Sequence, residues 1–438
     1  MATAITAKKN SNLRHAEYYD LTDVFDDLYA KSKEQAVFPD LMPLILSDEN
    51  IMLAYRNIKR NTGSRTAGVD DLTMKHIEKL SSEEVIAKVR HKLAWYKPKP
   101  VRRVEIPKPN GKMRPLGIPA IWDRLVQQCI LQVLDPICEA KFHDRSNGFR
   151  PNRSTEHAIA QCMRMIQIQH LHFVVDVDIK GFFDNVNHAK LMRQMWTLGL
   201  RDKRLLCIIK QMLKAPVVLP DGSKIFPDKG TPQGGILSPL LSNIVLNELD
   251  WWVSSQWEDI PTQTVIKEGI AKNGTPNRSN KCRTLRRSGL KEMYIIRYAD
   301  DFRIFCRKRS DAVKTYHAVK LRLEERLKLQ LSEEKSKIVN LRKNYSEFLG
   351  FKLKAVKRGK RYIVRSHMCD KAIRNTTQKL KAQIDYIQHP KDKKDKYKAI
   401  SLYNSMVMGI HQYFAIATLV NRDCNEITRS INIVLKNR

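Results

Sequence analysis

The sequence has little of what secreted, zinc-binding or membrane-spanning proteins need. Its eight cysteines lie far apart, with no Cys-x-x-Cys pair, which argues against a disulfide framework or a zinc module and favours an intracellular, cytoplasmic protein. No apolar run approaches the length of a membrane span, and Met1 is followed by a short polar stretch instead of a signal-peptide core. We therefore expect no membrane partner.

Negative charge is also scarce. The 438 residues include 79 Lys and Arg against 46 Asp and Glu, which gives a formal net charge of +33. A neutral or cationic partner would gain nothing from this self-repulsion, so the charge indicates a polyanionic partner, with nucleic acid as the first hypothesis. The excess is concentrated in residues 97–114 (seven basic against one acidic), 261–293 (eight against two) and 352–398 (sixteen against four).

At 438 residues, the chain is too long for one compact core, and two or three linked subdomains are predicted. Residues 95–120 contain prolines and a Pro-Asn-Gly turn between short alternating runs, which predicts a β-hairpin with basic side chains. Residues 254–293 are polar and basic and are predicted to form a flexible loop. Residues 366–438 hold three amphipathic stretches separated by Pro390 and Asn421–Asp423, which predicts a small helical bundle.

Two pairs of aspartates lie in apolar surroundings. Asp300 and Asp301, in MYIIRYADDFRIF, are predicted at the tip of a tight turn between two strands. Asp176 and Asp178 lie on one face of a strand predicted in HFVVDVDIKGFF. Clustered carboxylates repel one another unless a cation neutralises them, so these residues could hold two Mg²⁺ ions for nucleotidyl transfer. An ordinary acidic hairpin turn is the alternative interpretation.

Several motifs, in a fixed order, resemble those of one family. The sequence is similar to the palm of group II intron-encoded reverse transcriptases, also called maturases, in VDIKGFFDNVNH, GTPQGGILSPLLSNIVLNELD, RYADD, LSEEKSKI and FLGF. It resembles the fingers of that family in RRVEIPKPNGKMRPLGIP and FHDRSNGFRPNRS. The N-terminal extension of the family is similar to LSDENIMLAYRNIKRNTGSRTAGVDD. The resemblance covers residues 46–420.

The resemblance implies an α+β right-hand polymerase. Residues 1–45 would form an N-terminal extension, and residues 46–365 the fingers and a palm with an antiparallel sheet. Residues 366–438 would form a helical thumb, or X domain. The chain stops within the third thumb helix, with no DNA-binding domain and no Cys/His-rich endonuclease, so the resemblance does not extend to autonomous cleavage of a second DNA strand.

The resemblance also implies roles for single residues. Asp178, Asp300 and Asp301 would be the catalytic carboxylates that hold two Mg²⁺ ions, with Asp176 as the rival for the first position. Phe183 would lie under the sugar, clash with a 2′-hydroxyl and thereby select dNTP substrates. A core aromatic residue is the alternative interpretation of Phe183.

Four further residues would contact the nucleotide. Lys108 and Arg114 would grip its triphosphate, and Gln233 would line its pocket. Lys335 would approach the leaving pyrophosphate as a general acid. For the two lysines, a solvated surface charge is the alternative interpretation.

These features predict an RNA-directed DNA polymerase encoded by a group II intron. Its partners would be an RNA template with a DNA primer, the intron RNA whose splicing and mobility it assists, and target DNA. Arg283, Arg286 and Arg287 are expected to bind the intron RNA. One alternative is a reverse transcriptase of the same fold in a defence or retron-type role, and another is an RNA-binding maturase with little polymerase activity.

Overall fold

The contacts within the chain divide it into two compact units, each assembled from three segments. A computed structural model describes residues 15–107, 111, 113–262, 266, 269–270, 274 and 276–436. The first unit comprises Met1–Asp144, Ile179–Leu249 and Arg322–Gln330, and the second comprises Arg145–Asp178, Asp250–Leu321 and Leu331–Arg438. Among the described residues, no helix is both long and apolar enough to cross a bilayer.

The secondary structure mixes helices and strands along the whole chain. The helices are α1 His15–Tyr18, α2 Thr22–Lys33, α3 Met42–Ile45, α4 Asp48–Arg60, α5 Met74–Ile77, α6 Ser82–Ala94, α7 Ile121–Glu139, α8 Thr155–Gln167, α9 Phe182–Asn185, α10 His188–Thr197, α11 Lys203–Leu213, α12 Ser238–Ser255, α13 Ser279–Arg287, α14 Arg309–Leu321, α15 Asp370–Gln388, α16 Lys393–Phe414 and α17 Val420–Lys436. A 3₁₀-helix covers Thr62–Arg65, and a π-helix covers Arg322–Leu327. The strands are β1 Val101–Pro107, β2 Met113–Ile118, β3 Phe173–Val177, β4 Val217–Val218, β5 Lys224–Ile225, β6 Gly269–Ile270, β7 Pro276–Asn277, β8 Met293–Tyr298, β9 Asp301–Cys306, β10 Lys337–Asn340, β11 Ser346–Phe348, β12 Phe351–Arg358 and β13 Arg361–Met368.

The core of the first unit is built around α7, which is buried along most of its length. Helices α2, α3, α4 and α6 pack against it. Two of them begin at a serine cap: Ser47 accepts a hydrogen bond from the Asn50 amide, and Ser81 forms a capping box with Glu84. Such caps satisfy amide groups that a helix leaves unpaired at its start.

The first unit also contains the predicted basic hairpin. Strands β1 and β2 pair in antiparallel register from Arg102 opposite Ile118 to Pro107 opposite Met113. Strand β4 adds to β1 in parallel, and β5 completes the sheet in the order β2-β1-β4-β5. The hairpin prediction is confirmed for its described residues.

The second unit is centred on an antiparallel sheet, the palm sheet, with strand order β10-β3-β9-β8. Strand β3 lies between β10 and β9 in this sheet. Four of its five residues, Val174, Val175, Asp176 and Val177, are buried. Helices α8 and α14 pack against this sheet. The predicted α+β class with an antiparallel palm sheet is confirmed.

A second sheet, β11-β12-β13, and the helices α15, α16 and α17 follow the palm sheet in the chain. The three helices predicted after residue 366 are present, but α17 begins at Val420. The prediction that Asn421–Asp423 separates two helices was therefore wrong. Asp423 is buried and accepts hydrogen bonds from the Met368 amide and, at 2.8 Å, from His367.

The basic insert 254–293 also differs from its prediction as a flexible loop. It contains α13, a helix of nine residues. Leu285 on this helix is buried and therefore packs against the rest of the unit. The charged composition of the insert did not indicate this contact. The division of the chain into an N-terminal extension, fingers, palm and thumb stays a prediction.

Candidate active site

The YADD motif forms a tight hairpin in the second unit. Strands β8 and β9 pair in antiparallel register with Tyr298 opposite Asp301, so Ala299 and Asp300 make the turn. Ala299 has a φ of 56°, in the left-handed region that alanine rarely adopts. Unusual backbone angles of this kind are concentrated at functional sites. Here the angle belongs to the turn that carries two adjacent carboxylates.

Asp178 directly follows β3, the strand next to β9. Because Val177 pairs with Phe302, the next position of the same register places Asp178 opposite Asp301. The structure therefore brings Asp178, Asp300 and Asp301 to one end of the palm sheet. Their catalytic role stays a prediction.

Arg303 neutralises the fourth aspartate of this region, Asp176. Its guanidinium lies 2.9 Å from Oδ1 of Asp176 and 2.7 Å from Oδ1 of Asp301. The hydroxyl of Ser346 donates to both carboxylate oxygens of Asp176, at 3.0 and 3.2 Å. Asp176 is 4% exposed, so it is enclosed by structural partners. This environment favours Asp178 over its rival as a metal ligand.

The electrostatics of Asp301 fit a nearby cation. Burial raises the pKa of Asp301 above its ordinary value, the charges of Asp300 and Asp176 raise it further, and Arg303 offsets only part of the effect. A carboxylate that is disfavoured by burial and by neighbouring negative charges is stabilised when a cation binds to it. Three carboxylates also supply the oxygen ligands that Mg²⁺ prefers. The residue types at this end of the sheet are therefore those that a Mg²⁺ centre would use.

The LSEEKSKI segment wraps around Asp178. The Asp178 amide donates to the hydroxyl of Ser336 at 3.1 Å, and the Ser332 amide donates to the Asp178 carbonyl at 2.8 Å. The ammonium of Lys335 lies 3.2 Å from Oδ2 of Asp178, and the two side chains are 68% and 42% exposed, respectively. Lys335 is thus held beside the carboxylates, and its predicted role as a general acid stays a prediction.

Arg297, which the sequence analysis missed, braces the YADD turn. Its Nε and Nη2 donate to the carboxylate of Asp250 at 2.6 to 3.0 Å, and its Nη1 donates to the carbonyl of Ala299 at 2.8 Å. Arg297 and Asp250 are 0% and 1% exposed. A buried charge needs a partner of opposite charge, so an arginine inside the apolar run MYIIRY was the signal that could have found this brace.

Phe183 belongs to the first unit, in the short helix α9. Gly181 begins this helix in the left-handed region, with a φ of 53°. The carbonyl of Phe183 accepts from the Thr231 amide at 2.7 Å, which ties the helix to the GTPQGG loop. Phe182 is 2% exposed and fills the core, whereas Phe183 is only half-buried. The core aromatic residue of this helix is therefore Phe182. The role of Phe183 in sugar selection stays a prediction.

Gln233 and Arg114 contact each other in the first unit. Nε of Arg114, on β2, donates to Oε1 of Gln233 at 3.1 Å, and the carbonyl of Gln233 accepts from the Gly117 amide at 2.5 Å. Gly234 has a φ of 108°, and a β-carbon there would lie 2.5 Å from the Gly117 carbonyl oxygen. Only glycine allows this close approach. Lys108 lies outside the described residues.

Comparison with known proteins places these motifs in a family. Residues 106–353 match the model of the family described as "Reverse transcriptase (RNA-dependent DNA polymerase)". The group II intron-encoded protein LtrA of Lactococcus lactis subsp. cremoris is 32% identical over 441 residues, covering 88% of this chain and 72% of LtrA. The chain belongs to the group II intron-encoded reverse transcriptases. The predicted family and the predicted enzyme class, RNA-directed DNA polymerase, are confirmed.

Two further relatives match parts of this reverse transcriptase. Protein YkfC of Escherichia coli K12 is 33% identical over 329 residues, which cover 72% of this chain and 82% of YkfC. The mitochondrial nuclear intron maturase 2 of Arabidopsis thaliana is 27% identical, over 50% of this chain and 36% of the maturase. A chain of the partial Cas6-RT-Cas1–Cas2 complex matches with 24% identity and a TM-score of 0.35, over 64% of this chain and 40% of its own length. A TM-score this low adds nothing about the fold.

Proposed function

We propose that this reverse transcriptase copies RNA into DNA at a centre of two Mg²⁺ ions held by Asp178, Asp300 and Asp301. The observation that carries the proposal is the convergence of these carboxylates at one end of the palm sheet. The raised pKa of Asp301, caused first by burial, supports a cation as their partner. When bound, the two ions would activate a primer 3′-hydroxyl and stabilise the leaving pyrophosphate.

Lys335 would act beside this centre on the leaving group. Its ammonium contacts Asp178 at 3.2 Å, and its side chain is 68% exposed, so the side chain has room to rotate toward a phosphate oxygen. A lysine in this position can donate a hydrogen bond or a proton to the leaving pyrophosphate. Arg114 and Lys108 would bind the triphosphate, since a guanidinium fork matches phosphate oxygens.

Phe183 and Gln233 would select the nucleotide. The half-buried ring of Phe183 would fill the space that the 2′-hydroxyl of a ribonucleotide needs. Gln233 accepts a hydrogen bond from Arg114 through its side chain, which fixes the orientation of its amide. The amide group of Gln233 would then line the pocket of the incoming dNTP.

The partners of the enzyme would be an RNA template with a DNA primer, its group II intron RNA and target DNA. The similarity to LtrA, a group II intron-encoded protein, supports the intron RNA and a role in splicing and mobility. The net charge of +33 supports a large polyanion, because one active site needs only a few phosphate contacts. Much positive charge is left for a second, structured RNA.

The test is primer extension on poly(rA)/oligo(dT), with dTTP compared with UTP. Wild-type enzyme should extend with dTTP and require Mg²⁺, and Asp300→Ala/Asp301→Ala should lose several orders of magnitude in rate because one side of the metal site is gone. Binding of Mn²⁺, followed by electron paramagnetic resonance, should fall in the same variant. Asp26→Ala/Asp27→Ala, which changes an adjacent pair of exposed aspartates, is the control. Near wild-type extension by the Asp300/Asp301 variant would show that the metal assignment is wrong.

A further inference from the structure

A positively charged surface lies at the opposite end of the palm sheet from the carboxylates. The strand register aligns Phe173, Cys306 and Met293 at this end, whereas Asp178 and the YADD turn lie at the other. Strands β3, β8 and β9 have five, six and six residues. At about 3.3 Å per residue, the two ends are roughly 17–20 Å apart.

Glu292 ties three chain segments together at this end. It directly precedes β8 and is 3% exposed. Nε and Nη2 of Arg286, on α13, donate to its two oxygens at 2.9 and 2.8 Å, and Nε of Arg307 donates to it at 2.5 Å. Arg307 also donates to the carbonyl of Gln169 at 2.8 Å. Arg286, which the sequence predicted to bind RNA, therefore anchors α13.

The inner face of α13 has a second set of contacts. Leu285 is 4% exposed, and Sγ of Cys282 lies 3.9 Å from the hydroxyl of Tyr294 on β8. That hydroxyl accepts a hydrogen bond from Nε1 of Trp257 at 3.1 Å. The helix is thus fixed on the sheet by both ionic and apolar contacts.

The outer face of α13 presents Arg283 and Arg287. Both are exposed and, four residues apart on a helix, they lie on the same face. The side chains of Arg283 and Arg287 form no hydrogen bond and no ion pair with any residue that the structure describes. Like charges at this spacing destabilise a helix. Lys308 and Arg309 are also exposed and directly follow Arg307, so the Glu292 contacts bring two basic segments to the same place.

We propose that this surface, formed by Arg283, Arg287, Lys308 and Arg309, binds the phosphate backbone of folded RNA separately from the template and primer at the carboxylates. The inference rests on the proposed binding of intron RNA and assigns a surface to it. Charge complementarity supports RNA as the occupant, since phosphates neutralise the repulsion between Arg283 and Arg287. The anchored helix holds both guanidinium groups in place before binding, which reduces the entropy lost on association.

The test compares Arg283→Gln/Arg287→Gln with Lys203→Gln/Lys210→Gln in the full chain. The control removes the same number of exposed charges from α11. Filter binding across a salt series is measured on three probes of equal length: intron RNA transcribed from the locus that encodes this chain, an unrelated RNA and duplex DNA. Primer extension on poly(rA)/oligo(dT) checks that each variant is folded and active.

The Arg283/Arg287 variant should bind intron RNA about tenfold more weakly, with a logarithmic salt slope smaller by about two because two phosphate contacts are lost. Extension and the control variant should stay near wild type. Unchanged affinity and slope, a loss no larger than in the control, or a loss confined to DNA would overturn the inference. If wild-type protein binds intron RNA no more tightly than unrelated RNA, the proposed intron partner is wrong, while an equal loss on both RNAs in the variant would still support the surface.

Discussion

A β-carbon at Gly148 would lie 2.2 Å from the amide nitrogen of Ala299. The loop that carries Gly148 runs beside the end of β8, because the Asn147 amide donates to the Arg297 carbonyl at 2.8 Å and the Arg297 amide donates to the Arg145 carbonyl at 2.9 Å. The loop therefore presses its backbone directly against the turn of the YADD hairpin. A side chain at position 148 would have to displace that turn.

Gly148→Ala should therefore lower kcat of primer extension by about tenfold or more, because displaced carboxylates stabilise the transition state less well. KM for the primer–template should change little, since position 148 is not predicted to bind it. Gly63→Ala is the control, because a β-carbon there meets only the Asn61 side chain, at 3.6 Å. Wild-type kcat in the Gly148 variant would show that the turn tolerates displacement.

The two aspartates around β3 should respond differently to removal of charge. Asp176→Asn should lower the free energy of unfolding by about 3 kcal/mol, because it breaks a buried ion pair with Arg303. Asp178→Asn should change stability little, since its ion pair with Lys335 is exposed, but should reduce the rate of extension by several orders of magnitude. Urea unfolding and single-turnover extension measure the two effects. The opposite pattern would make Asp176 the catalytic residue.

Sugar selection should depend on Phe183 and not on its neighbour. Phe183→Ala should raise incorporation of UTP relative to dTTP at least about tenfold, because it opens space beside the 2′ carbon. Phe182→Leu should lower the free energy of unfolding by about 1 kcal/mol through lost core packing and leave the dTTP preference unchanged. The readout is the ratio of kcat/KM for the two nucleotides. An unchanged ratio in Phe183→Ala would assign Phe183 a structural role.

His172 should make the second unit sensitive to acid. Burial, reinforced by the charge of Arg342, lowers the pKa of His172 to about 4, and Nε of Arg342 donates to its Nδ1 at 2.9 Å. The unfolded chain binds the proton near pH 6.5, so the free energy of unfolding should fall by about 2 kcal/mol between pH 7 and pH 5 and stop falling below pH 4.

His172→Asn keeps an acceptor for Arg342 and does not titrate. Urea unfolding of wild type and variant at pH 7 and pH 5 isolates this histidine, since all other groups titrate in both proteins. The variant should lose about 2 kcal/mol less than wild type over this interval. Equal losses would mean that His172 binds a proton as readily in the folded protein as in the unfolded chain.

Local pattern was enough to predict the elements that carry the carboxylates. Apolar residues on both sides of Asp300 and Asp301 predicted two strands and a turn, and β8 and β9 have that arrangement. The Ser-x-x-Asn sequence that begins at Ser47 likewise forms the cap of α4. In each case the signal and the structure that it specifies lie within a few residues of each other.

The environment of the carboxylates could not be predicted in the same way. Ser346 and Asp176 are 170 residues apart in the chain, and Asp250 and Arg297 are 47 apart, so each pair exists only after the sheets have formed. The position of α17 was missed for the same reason. Aspartate is a residue type that often ends helices, yet Asp423 lies within α17. It is buried there and accepts a hydrogen bond from the Met368 amide.

The segments of the two units alternate along the chain, so neither unit can be made or cut out as one continuous stretch. The first unit needs Arg322–Gln330, and the second needs segments on both sides of Ile179–Leu249. During translation, neither unit has all of its segments until residue 330 has left the ribosome, so early chains expose strands such as β3, whose partner β9 is still to be made. No single cut can yield two self-sufficient fragments, and two halves produced separately could regain activity only by complementing each other.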